Sequence, residues 1–336
     1  DVIVSNTISY GIKTAYQINN LPSDEHNKLW KAWAETKACD SDLRSDIFAL
    51  QHLAMRTLVE SGATIIKRER LLNAERGTIP FRIQVLEPDY IDLSKDGNGE
   101  DIQGVRFKDG KPVAYWMFDR HPGGMDFRSL NSKLVPIDDV KLMIRRDRAG
   151  QIHGIPWSHA VMITLKELDE YMDASLVKQK ISAAFAAFVH DIEGFADGDG
   201  AKNSTFGEVI EPGIVEVLPS GKSITFSNPP SVSDLDPFTR NMMRRIAIGM
   251  GISYEALSAD LSGVNFSSAR MGWLEFQRNI ESWRWHTFVP GFCDVVSDWF
   301  LEGCTLIGLK SEGVSYIHTA PRREMIDPTS ETASLI

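Results

Sequence analysis

The fold is decided by residues 156–191, which read PWSHAVMITLKELDEYMDASLVKQKISAAFAAFVHD. After Pro156 this stretch contains neither a glycine nor a second proline, and its apolar residues recur every three to five positions. These residues are Val161, Leu165, Leu168, Met172, Leu176, Ile181, Phe185 and Phe188. At about 1.5 Å per residue, one helix, or two in near succession, would span about 50 Å. Helices much longer than about 25 residues usually need neighbours along their length, as in coiled coils, repeats or rings of subunits.

Two shorter amphipathic helices are predicted upstream of this stretch. Ser23 is placed to cap the first, which carries Trp30 and Trp33 on one face. The second begins near Ser45 and ends at Gly62, because glycine is a preferred residue just after a helix. Its apolar stripe consists of Ile47, Leu50, Ala54 and Leu58.

The pattern changes to short strands between residues 63 and 153. Asp109-Gly110 lies between two apolar runs and suits the positive φ angles of a tight hairpin turn. Pro112 beside this turn predicts an edge strand, because proline cannot donate a backbone hydrogen bond. The sequence therefore predicts a small, mostly β module here, and a further short β segment around residues 214–226.

The last third of the chain is predicted to be mainly helical. Asp236-Pro237 predicts a helix start, with an N-cap residue followed by proline in the first turn. A last long helix opens near Ser267 or Ser268, and Pro290 is expected to interrupt it. The chain beyond Gly303 is predicted to be a loop.

Composition excludes several classes of protein. The 336 residues carry 46 acidic and 36 basic side chains, a net charge of -10, which argues against an autonomous DNA-binding domain. Cys39, Cys293 and Cys304 form no paired motif and indicate neither a zinc site nor a disulfide framework. We find no apolar run of about 18 residues and no signal-peptide pattern, so we expect neither membrane contact nor secretion. At about 150 residues per domain, the length predicts two domains.

No motif predicts a catalytic or metal centre. The eight histidines show no HExxH spacing, and no GxSxG elbow is present. Asp197-Gly198-Asp199-Gly200 resembles the start of a calcium loop, but Lys202 stands where that loop needs a glycine. We therefore expect no catalytic residue, no metal and no cofactor.

Basic residues on the predicted helices are candidates for contact with phosphates. Arg240 and Arg244 lie one helical turn apart and, with Arg245, could face phosphates, an acidic neighbour or only solvent. Lys178 and Lys180 interrupt an otherwise acidic helix and leave the same alternatives open. The basic candidates are Lys178, Lys180, Lys202, Arg240, Arg244 and Arg245.

Three tryptophans are candidates for large apolar anchors. Trp273, Trp283 and Trp285 lie in or just after the last predicted helix. Tryptophan dominates the binding energy of many interfaces, so these residues are expected in the core or at contacts between subunits.

Several motifs, in their order and spacing, resemble those of portal proteins of lambda-type tailed bacteriophages. Gly154-Ile155-Pro156-Trp157 leads into the helix quoted above. EPG at residues 211–213 and FSNPP at residues 226–230 follow. The best match is LSGVNFSSAR at residues 261–270, and PRRE stands at residues 321–324. The resemblance covers roughly residues 44–330.

The resemblance implies an α+β portal fold with long stem helices, a small β clip module and a helical wing. It implies a ring of subunits, usually a dodecamer, at the portal vertex of the capsid, through which double-stranded DNA is packaged and ejected. The basic candidates named above would line this channel and are here called the DNA-channel candidates. Terminase, the major capsid protein and the head-tail connector would be its partners. The subunit would be structural, without catalysis, and assembled in the host cytoplasm.

By the same resemblance the chain divides into seven segments. They are part of the wing (1–43), a first stem helix (44–62), the clip (63–153), a second stem helix (154–191), a tunnel-proximal loop with a short β segment (192–235), a tunnel or crown-side helix (236–260), and C-terminal wing helices with a tail (261–336).

A ring of twelve helices is wide enough for a DNA duplex. With about 10 Å between neighbouring axes, the helices lie at a radius of about 19 Å and leave a bore of about 28 Å. A duplex about 20 Å across passes through such a bore. Few basic residues suit a channel in which DNA slides, because each neutralised phosphate adds affinity.

Two other functions stay open at this point. One is a phage-derived, metal-dependent enzyme that processes nucleic acid, with the metal bound by acidic residues of the 193–211 loop. The other is a non-viral helical scaffold that uses the same ring interface. Magnesium-dependent turnover distinguishes the enzyme, and rings with a duplex-sized hole favour the portal.

Overall fold

The computed structural model describes residues 1–72, 77–97, 99–124, 130–184, 188–191, 222–225, 235–262 and 266–322. The chain forms two compact units. Unit 1 comprises Asp1–Ala160 and Ala247–Ile336, and unit 2 comprises Val161–Ile246. The described residues form helices and small antiparallel sheets, which confirms the predicted α+β class.

Helices account for most of the regular structure. The described helices are α1 (Val2–Thr7), α2 (Asp24–Ala34), α3 (Ile47–Ser61), α4 (Met162–Ala184), α5 (Leu235–Met250), α6 (Tyr254–Ser258), α7 (Phe266–Trp283) and α8 (Asp294–Leu306). A π-helix, Arg284–Cys293, joins α7 to α8, and a short 3-10 helix, Trp157–Val161, precedes α4.

The strands are short and pair in antiparallel fashion. Those described are β1 (Lys13–Ile18), β2 (Leu21–Pro22), β3 (Ala63–Arg70), β4 (Phe81–Leu86), β5 (Asp101–Ile102), β6 (Val105–Lys108), β7 (Lys111–Phe118), β8 (Ser132–Pro136), β9 (Val140–Ile144), β10 (Phe188–Asp191), β11 (Lys222–Thr225) and β12 (Val314–Thr319). Their sheet orders are β12-β1-β2, β4-β3-β9, β5-β6-β7-β8 and β10-β11.

An aromatic cluster in unit 1 joins the two ends of the chain. The ring of Tyr16 on β1 lies 5.4 Å from that of Trp30 on α2 and 4.9 Å from that of Phe300 on α8. Strand β12 pairs with β1 along its whole length. The prediction of a loop beyond Gly303 was therefore wrong, because the strand that orders this segment lies at the other end of the sequence.

Helix α3 follows the prediction closely. The Asp46 carboxylate accepts a hydrogen bond from the Ala49 N–H at 2.8 Å, which caps the start of the helix. Gly62 ends it with a φ of +80°. The predicted stripe of Ile47, Leu50, Ala54 and Leu58 is buried in the core of unit 1.

The β hairpin forms as predicted, but its second strand is not an edge strand. Asp109 and Gly110 have φ angles of +51° and +73°, as a type I′ turn requires. Strand β7 lies between β6 and β8. Pro112 is tolerated because β8 pairs with β7 only from Ala114 onward, which leaves the start of β7 with one neighbour.

Pro290 does not interrupt the last long helix. The chain runs from α7 through the π-helix into α8. The wider π turn moves the preceding carbonyls away from the proline ring, which would clash with them in an α-helix. Gly291 lets this turn lie against β9, because a Cβ there would be 2.5 Å from the Met143 side chain.

Helix α4 is shorter than predicted. It has 23 residues, about 35 Å, and residues Phe188–Asp191 form β10, which pairs with β11. Strand β11 falls within the β segment that the sequence predicted around 214–226. Phe185 lies outside the described residues. The prediction ran on because no glycine or proline marks the end of the helix.

The Gly154-Ile155-Pro156-Trp157 motif lies against the end of α3. A Cβ on Gly154 would be 1.9 Å from the Gly62 carbonyl oxygen, so the two backbones meet where only glycine fits. Trp157 is buried, and its ring lies 4.9 Å from that of Trp283. The motif thereby anchors the last residues of unit 1 that precede α4.

Candidate functional site

Helix α4 exposes apolar residues that the described part of the chain leaves uncovered. Leu165, Met172 and Leu176, here called the α4 stripe, are spaced by seven and four residues and therefore lie on one side of the helix. Their exposed fractions are 41%, 43% and 49%. Further exposed apolar residues of α4 are Met162, Ile163 and Val177. This much uncovered apolar surface on one helix is typical of an interaction site.

Helices α4 and α5 touch within unit 2. The ring of Tyr171 on α4 lies 4.3 Å from the ring of Phe238 on α5. Asp236, predicted to start α5, is in its first turn, one residue after the actual beginning at Leu235. The helix ends at Met250, and Gly251 follows with a φ of +71°. This contact brings the basic candidates of the two helices into one unit.

Five of the six DNA-channel candidates lie in unit 2 on these helices. Lys178 and Lys180 are exposed on α4, and Arg244 and Arg245 are exposed on α5. Arg240 is half-buried, and its Nε lies 3.3 Å from Asp236 Oδ1. The sixth candidate, Lys202, lies outside the described residues.

The two lysines cannot act together on one side of α4. Residues two apart in a helix are separated by about 200° around its axis, so Lys178 and Lys180 point in nearly opposite directions. Arg240 and Arg244, four apart, share a side of α5, as predicted. Of the two lysines, at most one therefore faces any single partner surface.

The structure separates the three candidate tryptophans. Trp283 is buried in unit 1, with 9% of its surface exposed, and packs on Trp157. Trp273 is half-buried beside Phe276, at 5.9 Å between ring centres. Trp285, on the π-helix, is 40% exposed, and its Nε1 donates to Glu281 at 2.8 Å. Trp285 thus offers more surface to a second chain than Trp283 does.

One set of potential metal ligands occurs among the described residues. The carboxylates of Glu87 and Asp89 and the imidazole of His121 lie within 4.8 Å of one another. The Gly123 N–H donates to His121 Nδ1 at 3.0 Å, so the ring proton belongs on Nε2, which lies 2.9 Å from Glu87. Both ring nitrogens are thereby engaged, and this arrangement favours a histidine–glutamate hydrogen bond over a metal.

The acidic loop proposed for the enzyme alternative, residues 193–211, lies outside the described residues. In the part of the chain that the structure describes, no helix is long and apolar enough to cross a membrane.

The sequence did not predict that the α4 stripe is exposed. The sequence placed these three residues in an apolar period together with Val161 and Leu168. Periodicity shows that such residues share a side of the helix, but it does not show what covers them.

The fold is similar to that of chains in two solved structures of particle necks. A structure described as the neck of an empty gene transfer agent particle, computed with C6 symmetry, matches 99% of this chain and 82% of its own at a TM-score of 0.61 and 14% identity. A second, of the native particle neck computed with C12 symmetry, matches 92% of this chain and 83% of its own at a TM-score of 0.54 and 15% identity. At these identities the likeness is one of fold alone.

Sequence comparison gives the family. The family model for the phage portal protein, lambda family, matches residues 1–284. A probable portal protein of Halomonas phage phiHAP-1 is 30% identical over 257 residues, which are 72% of this chain and 49% of that protein. The chain belongs to the lambda family of phage portal proteins, and it spans about half the length of this curated relative.

Proposed function

We propose that this chain is the subunit of a portal ring, a channel through which double-stranded DNA is packaged and ejected at one vertex of a capsid. The role is structural, and the energy for packaging comes from a separate terminase. The observation that carries the proposal is the family membership over residues 1–284. The major capsid protein and the head-tail connector are further partners of the ring, which assembles in the host cytoplasm.

The α4 stripe supports the ring. Exposed apolar surface of this kind is covered when subunits associate, and a head-to-tail contact that closes on itself produces a ring. A second copy of this chain is the proposed occupant. The particle necks with the same fold were computed with C6 and C12 symmetry, which supports a dodecamer.

The helices that we favour for the channel, α4 and α5, are two of the three that the sequence analysis assigned to the stem or the tunnel. The resemblance implied stem helices at residues 44–62 and 154–191, a clip between them, and a tunnel or crown-side helix at residues 236–260. Helix α3 buries its stripe in unit 1, with the β module of residues 63–153 in the same unit, and so leaves less apolar surface for a neighbouring subunit than α4 does. We therefore favour α4 and α5 as the channel helices, with the β10-β11 pair between them in sequence. The assignments to wing, tunnel loop and crown stay predictions.

The channel candidates on these two helices suit weak contact with phosphates. Arg244, Arg245 and one of the two lysines provide few positive charges per subunit, in a chain whose net charge is -10. Each phosphate contact releases counterions and so strengthens binding in a salt-dependent way. Sparse contacts let a duplex slide.

The experiment is electron microscopy of the purified full chain, followed by incubation with linear duplex DNA. We expect rings with a central hole at least about 20 Å wide, the width of a duplex. A chain that stays monomeric at micromolar concentration contradicts the proposal. A parallel assay with magnesium and DNA is expected to show no cleavage. Turnover lost in Asp197→Asn with Asp199→Asn would instead favour the enzyme, for which no described residue argues.

A further inference from the structure

A polar cavity lies in unit 1, whereas the described DNA-channel candidates belong to unit 2. The cavity has a volume of about 470 Å³ and lies between the turn that follows β9 and the start of the π-helix. Its polar lining consists of Arg145, Arg146, Asp147, Ser282, His286 and Thr287.

The turn that forms one wall is held in place. The Asp147 carboxylate accepts hydrogen bonds from Arg145, at 3.0 Å from Nε and 3.4 Å from Nη2. The Asp147 N–H donates to the buried Gln151 side chain at 2.8 Å. Gln151 Nε2 in turn donates to the His153 carbonyl at 2.8 Å. The wall is therefore ordered before any ligand arrives.

The cavity carries more positive than negative charge. The Arg145 guanidinium lies 4.4 Å from the centre of the Trp157 ring. Its Nε and Nη2 donate to Asp147, so its Nη1 group is available for a ligand. Arg146 is exposed and has no ion-pair partner among the residues that the structure describes. The lining thus contains two guanidinium groups and one carboxylate, that of Asp147, which is already paired with Arg145.

The opposite wall supplies further hydrogen-bond donors. Ser282 and His286 are four residues apart, and Thr287 follows directly, so the three reach the cavity from the junction of α7 and the π-helix. Their hydroxyl and imidazole groups can donate to an anion. π-helices are rare in proteins, but those that occur are frequently found at functional sites.

We propose that this cavity binds a phosphate group. Arginine forks match phosphate oxygens in pairs, and hydroxyl donors on the facing wall meet oxygens that point the other way. A tetrahedral phosphate offers oxygens to both walls, whereas the two oxygens of a carboxylate lie in one plane. The phosphate belongs either to a nucleic-acid backbone or to free phosphate. The proposal stands apart from the channel function, because every lining residue belongs to unit 1.

The test is calorimetric titration of the full chain with inorganic phosphate in a chloride buffer of constant ionic strength. We expect saturable binding of one phosphate per chain. Arg146→Gln is expected to weaken it at least about tenfold, as the loss of a charge-assisted hydrogen bond does. Arg148→Gln is the matched control, because Arg148 is exposed on the same turn but does not line the cavity. It is expected to change the affinity less than about twofold.

A second variant protects the result against a folding defect in the first. Thr287→Val removes one hydroxyl from the facing wall and is expected to weaken phosphate binding at least about threefold. Competition by a short duplex DNA against phosphate assigns the site to a nucleic-acid backbone, and failure of the duplex to compete assigns it to free phosphate. Non-saturable phosphate binding, or equal losses of affinity in Arg146→Gln and Arg148→Gln, would overturn the proposal. So would a protein that binds a glutamate-rich peptide but not inorganic phosphate.

Discussion

Helices α3 and α4 carry similar apolar stripes but differ in what covers them. The stripe of α3 faces the core of unit 1, to which Leu50, Ala54 and Leu58 belong, and α3 contacts strands β3 and β4 and helix α1. The α4 stripe leaves two fifths to half of each side chain in contact with solvent. Burial of such side chains stabilises a structure by about 25 cal/mol per Å². Helix α3 gains this stabilisation within one chain, whereas α4 gains it only by association.

The largest expected effect separates the two helices by stability. Leu58 on α3 is fully buried, so Leu58→Ala is expected to lower the free energy of unfolding by about 2–5 kcal/mol. The same change on α4, Leu176→Ala, is expected to cost the dissociated chain less than about 0.5 kcal/mol. Urea unfolding of both variants at a concentration below assembly measures the difference. Equal losses would remove the distinction between the helices.

The next effect concerns association. Leu176→Asp places a charge in the α4 stripe and is expected to weaken each subunit contact at least about tenfold, because a charge is costly to bury without a partner. Leu176→Met keeps the apolar character and is expected to assemble as the parent does. Mass photometry over a concentration series measures the assembly of both variants. Assembly of Leu176→Asp at the parent concentration would place the subunit contact elsewhere.

A smaller expected effect is a loss of stability of unit 1 at acidic pH, through His318. Burial lowers the pKa of His318, and this outweighs the nearby Asp294 carboxylate, whose hydrogen bond at 2.9 Å raises it. The unfolded chain therefore binds this proton more readily than the folded one, and the free energy of unfolding falls as the pH drops below about 6.5.

Replacement of this histidine tests the effect. His318→Gln is expected to show a smaller loss of stability between pH 7.5 and pH 5.5 than the parent, although it also loses the contacts with Asp294 and Thr14. Urea unfolding at the two pH values measures it. An unchanged pH dependence would show that His318 does not carry it. The buried His26 and the half-buried His153, whose pKa values desolvation also lowers, would then be the groups responsible.

The smallest effect concerns the two lysines of α4. Because they point in nearly opposite directions, only one of Lys178→Gln and Lys180→Gln is expected to change the salt dependence of DNA binding, by about one unit of the log–log slope. DNA binding to assembled rings at several salt concentrations measures the slopes. Equal changes in the two variants would mean that DNA does not approach α4 from a single side.

The same two helices show how far the sequence reaches. The end of α3 was predicted at Gly62, and its start near Ser45 lies two residues before the actual start at Ile47, because Gly62 and the Asp46 cap act locally, on backbone groups within a few residues. The end of α4 could not be predicted, because the residues that follow it pair with a distant strand rather than meet a local signal. The π-helix at Pro290 and strand β12 were missed for the same reason, since their partners lie far away in sequence.

The candidate site was predictable in kind but not in arrangement. The sequence named the basic residues of α4 and α5, yet only the helix geometry shows that Lys178 and Lys180 diverge. It named Trp283 as readily as Trp285, although burial against Trp157 places the first in the core. Whether an apolar residue meets its own chain or another is a property of tertiary packing, which periodicity does not contain.

The central claim is that a second copy of the chain covers the α4 stripe, and thiol labelling of Leu176→Cys tests it most directly. The native thiols stay silent, because burial raises the pKa of Cys39 and of Cys304 to about 12 and also raises that of Cys293. We expect the introduced thiol to react at least about tenfold more slowly in the assembled protein than in the dissociated chain. Equal labelling rates in the two states, with assembly verified by mass, would contradict the claim.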